Sequence, residues 1–198
     1  MINSENAPIV GVLLAAGFGR RFGSDKLLHP LSNGEPMALA AAGPLLAGCD
    51  EVVAVLRPDQ SVLAGLLVQR KIRVVISSDA ARGMGHSLAA GVQASLHARG
   101  WVVALADMPY IQAATVVRVV AALRAGGSIV VPEYAGERGH PVGFAGNWGA
   151  QLVALSGDVG ARSILSRCSG DVSRIQVDDP GIVFDIDTPA LGDILPND

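Results

Sequence analysis

Three glycines, two arginines and a lysine fall within one short segment, Gly17-Phe18-Gly19-Arg20-Arg21-Phe22-Gly23-Ser24-Asp25-Lys26. These residue types in this order suit a polyanion. Glycine lets a backbone approach a ligand closely and adopt positive φ. Exposed N–H groups beside fixed cations make a cradle for phosphate. The segment follows an apolar run, Ile9-Val10-Gly11-Val12-Leu13-Leu14, that reads as a buried strand. It is not a Walker A loop, because the glycine–lysine–Ser/Thr order is absent. It is not a dinucleotide fingerprint either, because Phe22 stands where the third glycine belongs.

Two acidic sites answer this basic loop. Asp107, in Ala106-Asp107-Met108-Pro109, follows an apolar run, so its carboxylate emerges at a strand end. Phe184-Asp185-Ile186-Asp187-Thr188-Pro189 carries two further acids that share one face if the chain is extended. A hard divalent ion takes one or two carboxylates plus phosphate oxygens. Plainer readings stand beside this one. Asp107 suits the cap of a helix beginning after Pro109, and Asp-Thr-Pro suits a helix start.

The elements that must position these residues alternate regularly. Strands are expected at Ile9–Ala15, Glu51–Leu56, Arg73–Ser77, Trp101–Ala106 and Ser128–Val131. Helices are expected at Met37–Leu46, Ser61–Gln69, Ser87–Ala98 and Ala113–Ala125, the first broken or kinked at Gly43-Pro44. Beyond residue 132 the rhythm loosens, with strands at Val142–Ala145 and Ser173–Val177. This pattern predicts an α/β fold: a three-layer αβα sandwich around a mostly parallel, Rossmann-like sheet. Ligands of such sheets bind beyond the carboxyl ends of the strands. That rule places the Gly17 loop, Ser78-Asp79 and Asp107 along one edge. The length of 198 residues suits a single domain. Residues from about 8 to 132 are expected to form its nucleotide-binding half, and residues from about 133 to 195 its acceptor-binding half.

Composition narrows the function classes. Half the residues are hydrophobic, enough for a sizeable core, and they are aliphatic rather than aromatic, as in strands buried on both faces. The 24 glycines exceed the ~14 of average usage, which suggests tight functional loops. A net charge of −3 with no long basic run argues against a nucleic-acid partner. No apolar stretch reaches the ~18 residues that span a bilayer. The first eight residues carry no Lys or Arg, unlike a secretory signal, so a cytoplasmic protein is expected. Cys49 and Cys168 stand far apart, without metal spacing, and read as reduced thiols. Trp101, Tyr110 and Trp148 read as packing residues.

Leu14-Ala15-Ala16-Gly17 through Lys26-Leu27-Leu28 resembles the signature of the nucleotidyltransferases that attach a nucleotide to molybdopterin, in particular the molybdenum cofactor cytidylyltransferase type. Guanylyltransferase relatives carry Gly-Gly-x-Ser where this chain has Ala15-Ala16-Gly17-Phe18-Gly19. The resemblance continues through Gly83-Met84-Gly85-His86-Ser87-Leu88, Arg138-Gly139-His140-Pro141-Val142, Gly157-Asp158-Val159-Gly160-Ala161-Arg162 and Asp187-Thr188-Pro189. Two departures stand out. Ala106 replaces a usual glycine, and His29–Ala42 is alanine-rich where relatives carry a Pro-Leu-plus-arginine helix.

The resemblance implies a Mg²⁺-dependent transfer of CMP from CTP to molybdopterin, with release of pyrophosphate. It implies catalytic roles for Arg21, Lys26 and Asp107. Leu14, Ala15, Ala16, Gly17, Gly19, Arg21, Lys26, Asp79, Ser87 and His140 would bind the substrates. Asp107 and Asp187 would hold the metal, with Asp185 behind them. Ser87 would either meet the base or ribose or cap the helix that follows. Asp158 suits a cap for a helix from Ala161. Other readings are transfer of GMP from GTP to the same pterin, or nucleotidyl transfer to a sugar phosphate. A non-catalytic chaperone that brings the cofactor to a molybdenum hydroxylase or its maturation factor is a reading of another class.

Overall fold

The computed structural model describes residues 7–17 and 25–187. Its centre is an eight-stranded sheet of β1 (Ile9–Leu14), β2 (Glu51–Leu56), β3 (Arg73–Ile76), β4 (Gly100–Leu105), β5 (Ile129–Tyr134), β6 (Glu137–Arg138), β7 (Val142–Ala145) and β8 (Val172–Gln176). The strands are ordered β3-β2-β1-β4-β7-β5-β6, and β8 also pairs with β5. β3, β2, β1 and β4 run parallel, as their helical crossovers require. β7 lies antiparallel between β4 and β5. The β5–β6 hairpin reverses the chain at Ala135-Gly136, both with positive φ, and so returns β7 in the opposite sense. The sequence rhythm missed β6 and the extension of β5 past Val131.

Alternate residues of the central strands feed two cores. On one face Ile9, Leu13, Val52, Ala54, Val102 and Ala104 pack with α1 (Met37–Gly48), α2 (Ser61–Gln69) and α4 (Ala113–Arg124). On the other, Val10, Val12, Val53, Val55, Trp101 and Val103 pack with α3 (Met84–Gln93), α5 (Gly149–Val153) and α6 (Arg162–Arg167). The three layers are those the sequence predicts. A Cβ on Gly91 of α3 would sit 2.7 Å from Val12 Cγ1, so only glycine lets this helix lie so close to β1.

Two helices differ from expectation. α1 runs unbroken through Pro44, because packing on the sheet and on α4 outweighs one lost N–H donor. α3 spans Met84–Gln93 instead of Ser87–Ala98. Its early end has a local cause. Ser95 Oγ donates to the Gly91 carbonyl at 2.8 Å, taking the acceptor that another helical turn needs, and accepts from Trp101 Nε1 at 3.0 Å. Trp101 and Trp148 are buried in the core. Among the described residues, no helix is long and apolar enough to cross a membrane.

Candidate functional site

β1 and β4 end side by side, with Leu14 opposite Leu105. Their parallel pairing brings the first loop and Asp107 to the same sheet edge. A cavity of about 830 Å³ opens there. This lies within the range typical of small-molecule sites, about 300–1,000 Å³. Leu14, Ala16, Gly17 and Lys26 form one wall, Gly83, Met84 and Ser87 another, and Asp107 lies on the β4 side.

Lys26 joins the two chemical halves. Its side chain is almost fully buried, yet its ammonium lies 2.9 Å from Asp107 Oδ2 and 3.4 Å from Asp187 Oδ1. The backbone N–H of Ile186 donates to the Asp107 carbonyl at 3.0 Å, which pins the Asp185–Asp187 segment beside the β4 turn. Carboxylate oxygens of Asp107, Asp185 and Asp187 fall within 4.8 Å of one another. Three hard oxygen donors at that spacing fit a divalent ion of the Mg²⁺ or Mn²⁺ kind. Asp107 caps no helix, since α4 starts only at Ala113. Asp185, expected to stand behind Asp187, also offers an oxygen within that 4.8 Å.

The other walls meet through glycines. Gly83 has φ +123°, and a Cβ on it would collide with the Gly157 backbone. Gly85 N–H donates to the Gly157 carbonyl at 2.8 Å. The 83–85 and 156–158 loops therefore touch backbone to backbone, and Asp158 joins the cavity lining. Asp158 does not cap α6, whose N-cap is Ala161 without a side-chain bond. Ser87 lies inside α3, where capping is ruled out by position, and its buried side chain lines the cavity.

Some expected residues stand apart. Asp79 is exposed, 3.3 Å from Arg82, and does not line the cavity. The strand-edge rule placed it correctly along the sheet but could not orient its side chain. Ala15 lies just under the lining, with its N–H donating to Val55. His140 lies just before β7, which pairs antiparallel with β4, and its backbone N–H donates to Ile182 at 2.9 Å. Burial pushes its imidazole below the ordinary histidine range, opposed by a hydrogen bond to the Val103 backbone and by the Asp107 charge. Its Nδ1 is buried without a hydrogen-bond partner. Gly19 and Arg21 lie outside the described residues, as does the Thr188-Pro189 pair.

Sequence reasoning missed Arg57, Asp59 and Gln60. Arg57 and Asp59 line the cavity, and Gln60 is buried beside it. Arg57-Pro58 reads in sequence only as the stop of β2.

The MobA-like NTP transferase domain matches residues 11–172. The chain belongs to that family. Members of the MobA-like family are nucleotidyltransferases that act on a nucleoside triphosphate, and this chain is such an enzyme. It is similar to "Purine catabolism protein PucB" of Bacillus subtilis (strain 168), at 32% identity over 197 residues, covering 94% of this chain and 95% of the relative. It is 35% identical over 190 residues to "Nicotine blue oxidoreductase" of Paenarthrobacter nicotinovorans, covering 91% and 92%. Among solved structures, Rv0371c from Mycobacterium tuberculosis H37Rv shares the fold with a TM-score of 0.80 at 29% identity, covering 92% of this chain and 94% of that one. A manganese complex of Rv0371c matches with a TM-score of 0.71 at 26% identity, covering 86% and 88%.

Proposed function

We propose that this MobA-like transferase moves CMP from CTP to the phosphate of molybdopterin, in the cytoplasm, and releases pyrophosphate. The observation that carries this reading is the convergence of Lys26, Asp107 and Asp187 at the mouth of a nucleotide-sized cavity. The two halves of one domain divide the work. Residues 8–132 hold the nucleotide, and residues 133–195 receive the pterin.

The chemistry follows from charge. An oxygen of the acceptor phosphate forms a bond to the α-phosphorus of CTP as the bond to the β-phosphate oxygen breaks. The nucleophile is already an anion, so no strong base is needed, and alignment and charge neutralisation do the catalysis. Lys26 offsets charge as it moves from the α-phosphate to the leaving group. The Gly17 backbone and Arg21 hold the β- and γ-phosphates. Mg²⁺, held by Asp107 with Asp187 and Asp185, would screen the triphosphate charge. Ser87 meets the base or ribose from α3. His140 would serve the acceptor side.

The resemblance of the sequence motifs supports molybdopterin as the acceptor. The test is pyrophosphate release with Mg²⁺ and molybdenum-loaded pterin, offering CTP, GTP, ATP and UTP separately. Turnover with CTP alone, lost in Asp107→Asn, is the expected result. Turnover with GTP alone moves the reading to the guanylyl reaction. No release with any nucleotide overturns the transfer to pterin, leaving a sugar phosphate acceptor or a cofactor chaperone.

A further inference from the structure

Three consecutive carbonyls of the loop after β1 are taken by one short turn after β2. Gln60 Nε2 donates to the Ala15 carbonyl at 3.0 Å. Arg57 Nη1 donates to the carbonyls of Ala16, at 3.1 Å, and Gly17. The turn is itself braced. The Arg57 N–H donates to Gln60 Oε1 at 2.8 Å, and Arg57 Nε donates to Asp59 Oδ1 at 3.0 Å. Gln60 is only 3% exposed, so its amide has a fixed place.

The sheet order gives these bonds a direction. β1 lies between β2 and β4. Parallel strands bond alternately to left and right, and β1 does so: Leu14 accepts from Ala106 on the β4 side, and Ala15 donates to Val55 on the β2 side. A continued strand would aim the Ala16 carbonyl at β4, across the cavity that Asp107 lines. Arg57 turns it back toward β2. In a trans peptide the N–H points opposite to the preceding C=O. With the Ala15 and Ala16 carbonyls held on the β2 side, the N–H groups of Ala16 and Gly17 face the Asp107 side. A carbonyl dipole that would repel phosphate is replaced by two donors that attract it.

We propose that Arg57 and Gln60 are positioning residues that set the loop's backbone N–H groups toward the phosphate chain of the nucleotide. This rests on the nucleotidyltransferase reading above, and on nothing about the base or the acceptor. Arg57 acts through the loop rather than as a phosphate ligand. Its Nε and Nη2 are directed at Asp59 and its Nη1 at the two carbonyls. Lysine carries its three N–H donors on one nitrogen and cannot reproduce that fork.

The experiment is calorimetric titration of inorganic tripolyphosphate with Mg²⁺ into wild type, Arg57→Lys, Arg57→Ala and Gln60→Glu, with Tm recorded for each. The expected result is tight binding by wild type and binding at least tenfold weaker for Arg57→Lys at unchanged Tm. In turnover assays the nucleotide KM rises by a similar factor while the acceptor KM holds. Gln60→Glu keeps the acceptor for the Arg57 N–H but loses the donor to Ala15, and should weaken binding in the same sense. Wild-type affinity in Arg57→Lys overturns the proposal, as does affinity lost only in proportion to Tm. Failure of wild type to bind tripolyphosphate also overturns it. Tripolyphosphate binding without pyrophosphate release from any nucleotide leaves this proposal standing and sinks the transfer reading.

Discussion

Lys26 Nζ and Asp107 Oδ2 lie 2.9 Å apart, although 81 residues separate them in the chain. The lysine comes from the short helical turn at Lys26–Leu28, and the aspartate from the exit of β4. Sheet pairing of β1 with β4 makes the contact. The ammonium also offsets repulsion between Asp107 and Asp187, so one buried cation organises two acids from distant segments.

Removing that cation tests the arrangement. Lys26→Met keeps the aliphatic volume and deletes the charge. We expect turnover to fall roughly 10²–10³-fold, the cost typical of losing one preorganised charge at a reacting centre. Steady-state pyrophosphate release measures it. Turnover within a few-fold of wild type would remove Lys26 from the chemistry.

The strand ends and the two acidic segments were legible in sequence because each is a local pattern: an aspartate follows an apolar run, and two more alternate about Ile186. The three layers were legible from the alternation of runs. Other features arise only when distant segments meet. Arg57 reads as a strand stop, and its contact with Ala16 and Gly17 needs β1 and β2 paired in register. Asp79 sits on the expected edge but turns to Arg82, which no spacing rule reveals. β7 runs antiparallel because a two-residue strand, too short to leave a pattern, reverses the chain before it.

Cys49 should be inert in the folded protein. Burial, with the neighbouring Asp50 charge adding to it, pushes its thiol up to about 12 against an ordinary value of 9.0, and Arg124 opposes only weakly. A thiol titration at pH 8 should therefore leave Cys49 unmodified until denaturant is added. The same shift couples to stability. The folded state holds the proton more tightly, so Cys49 favours folding below pH 9 and loses that contribution as pH rises toward about 12. Denaturant midpoints for wild type and Cys49→Ala should converge or cross over that interval. A constant gap between them would remove the thiol as the cause.

Two glycine substitutions should shift stability in opposite directions. Gly91→Ala drives a Cβ to 2.7 Å from Val12 Cγ1 and 2.9 Å from Val55 Cγ2. Overpacking of this kind costs about 1–3 kcal/mol, a Tm loss of several degrees in a chain this long. Gly65→Ala, exposed in α2 with no atom within 4 Å of the added Cβ, should instead gain roughly 0.5–1 kcal/mol. Calorimetric melting of both variants decides it. Equal shifts would mean that α3 is free to move off the sheet.

Asp179 is expected to control the acidic cluster from a distance. It is 1% exposed. Its Oδ2 accepts from the Gln112 N–H at 2.9 Å and from Thr115 Oγ1 at 2.6 Å, while Oδ1 accepts from the Gly181 N–H at 3.0 Å. It thus ties the turn at Pro180–Val183, which leads into Asp185 and Asp187, to the start of α4. Asp179→Ala strands these donors, at about 1–3 kcal/mol for each that stays dry. Thr115→Val removes only the hydroxyl bond and should cost less. If the anchor places the acids, Asp179→Ala also weakens Mn²⁺ binding at temperatures where the variant remains folded, and Thr115→Val leaves it near wild type. Parallel loss of stability with unchanged metal affinity would make Asp179 a fold anchor alone.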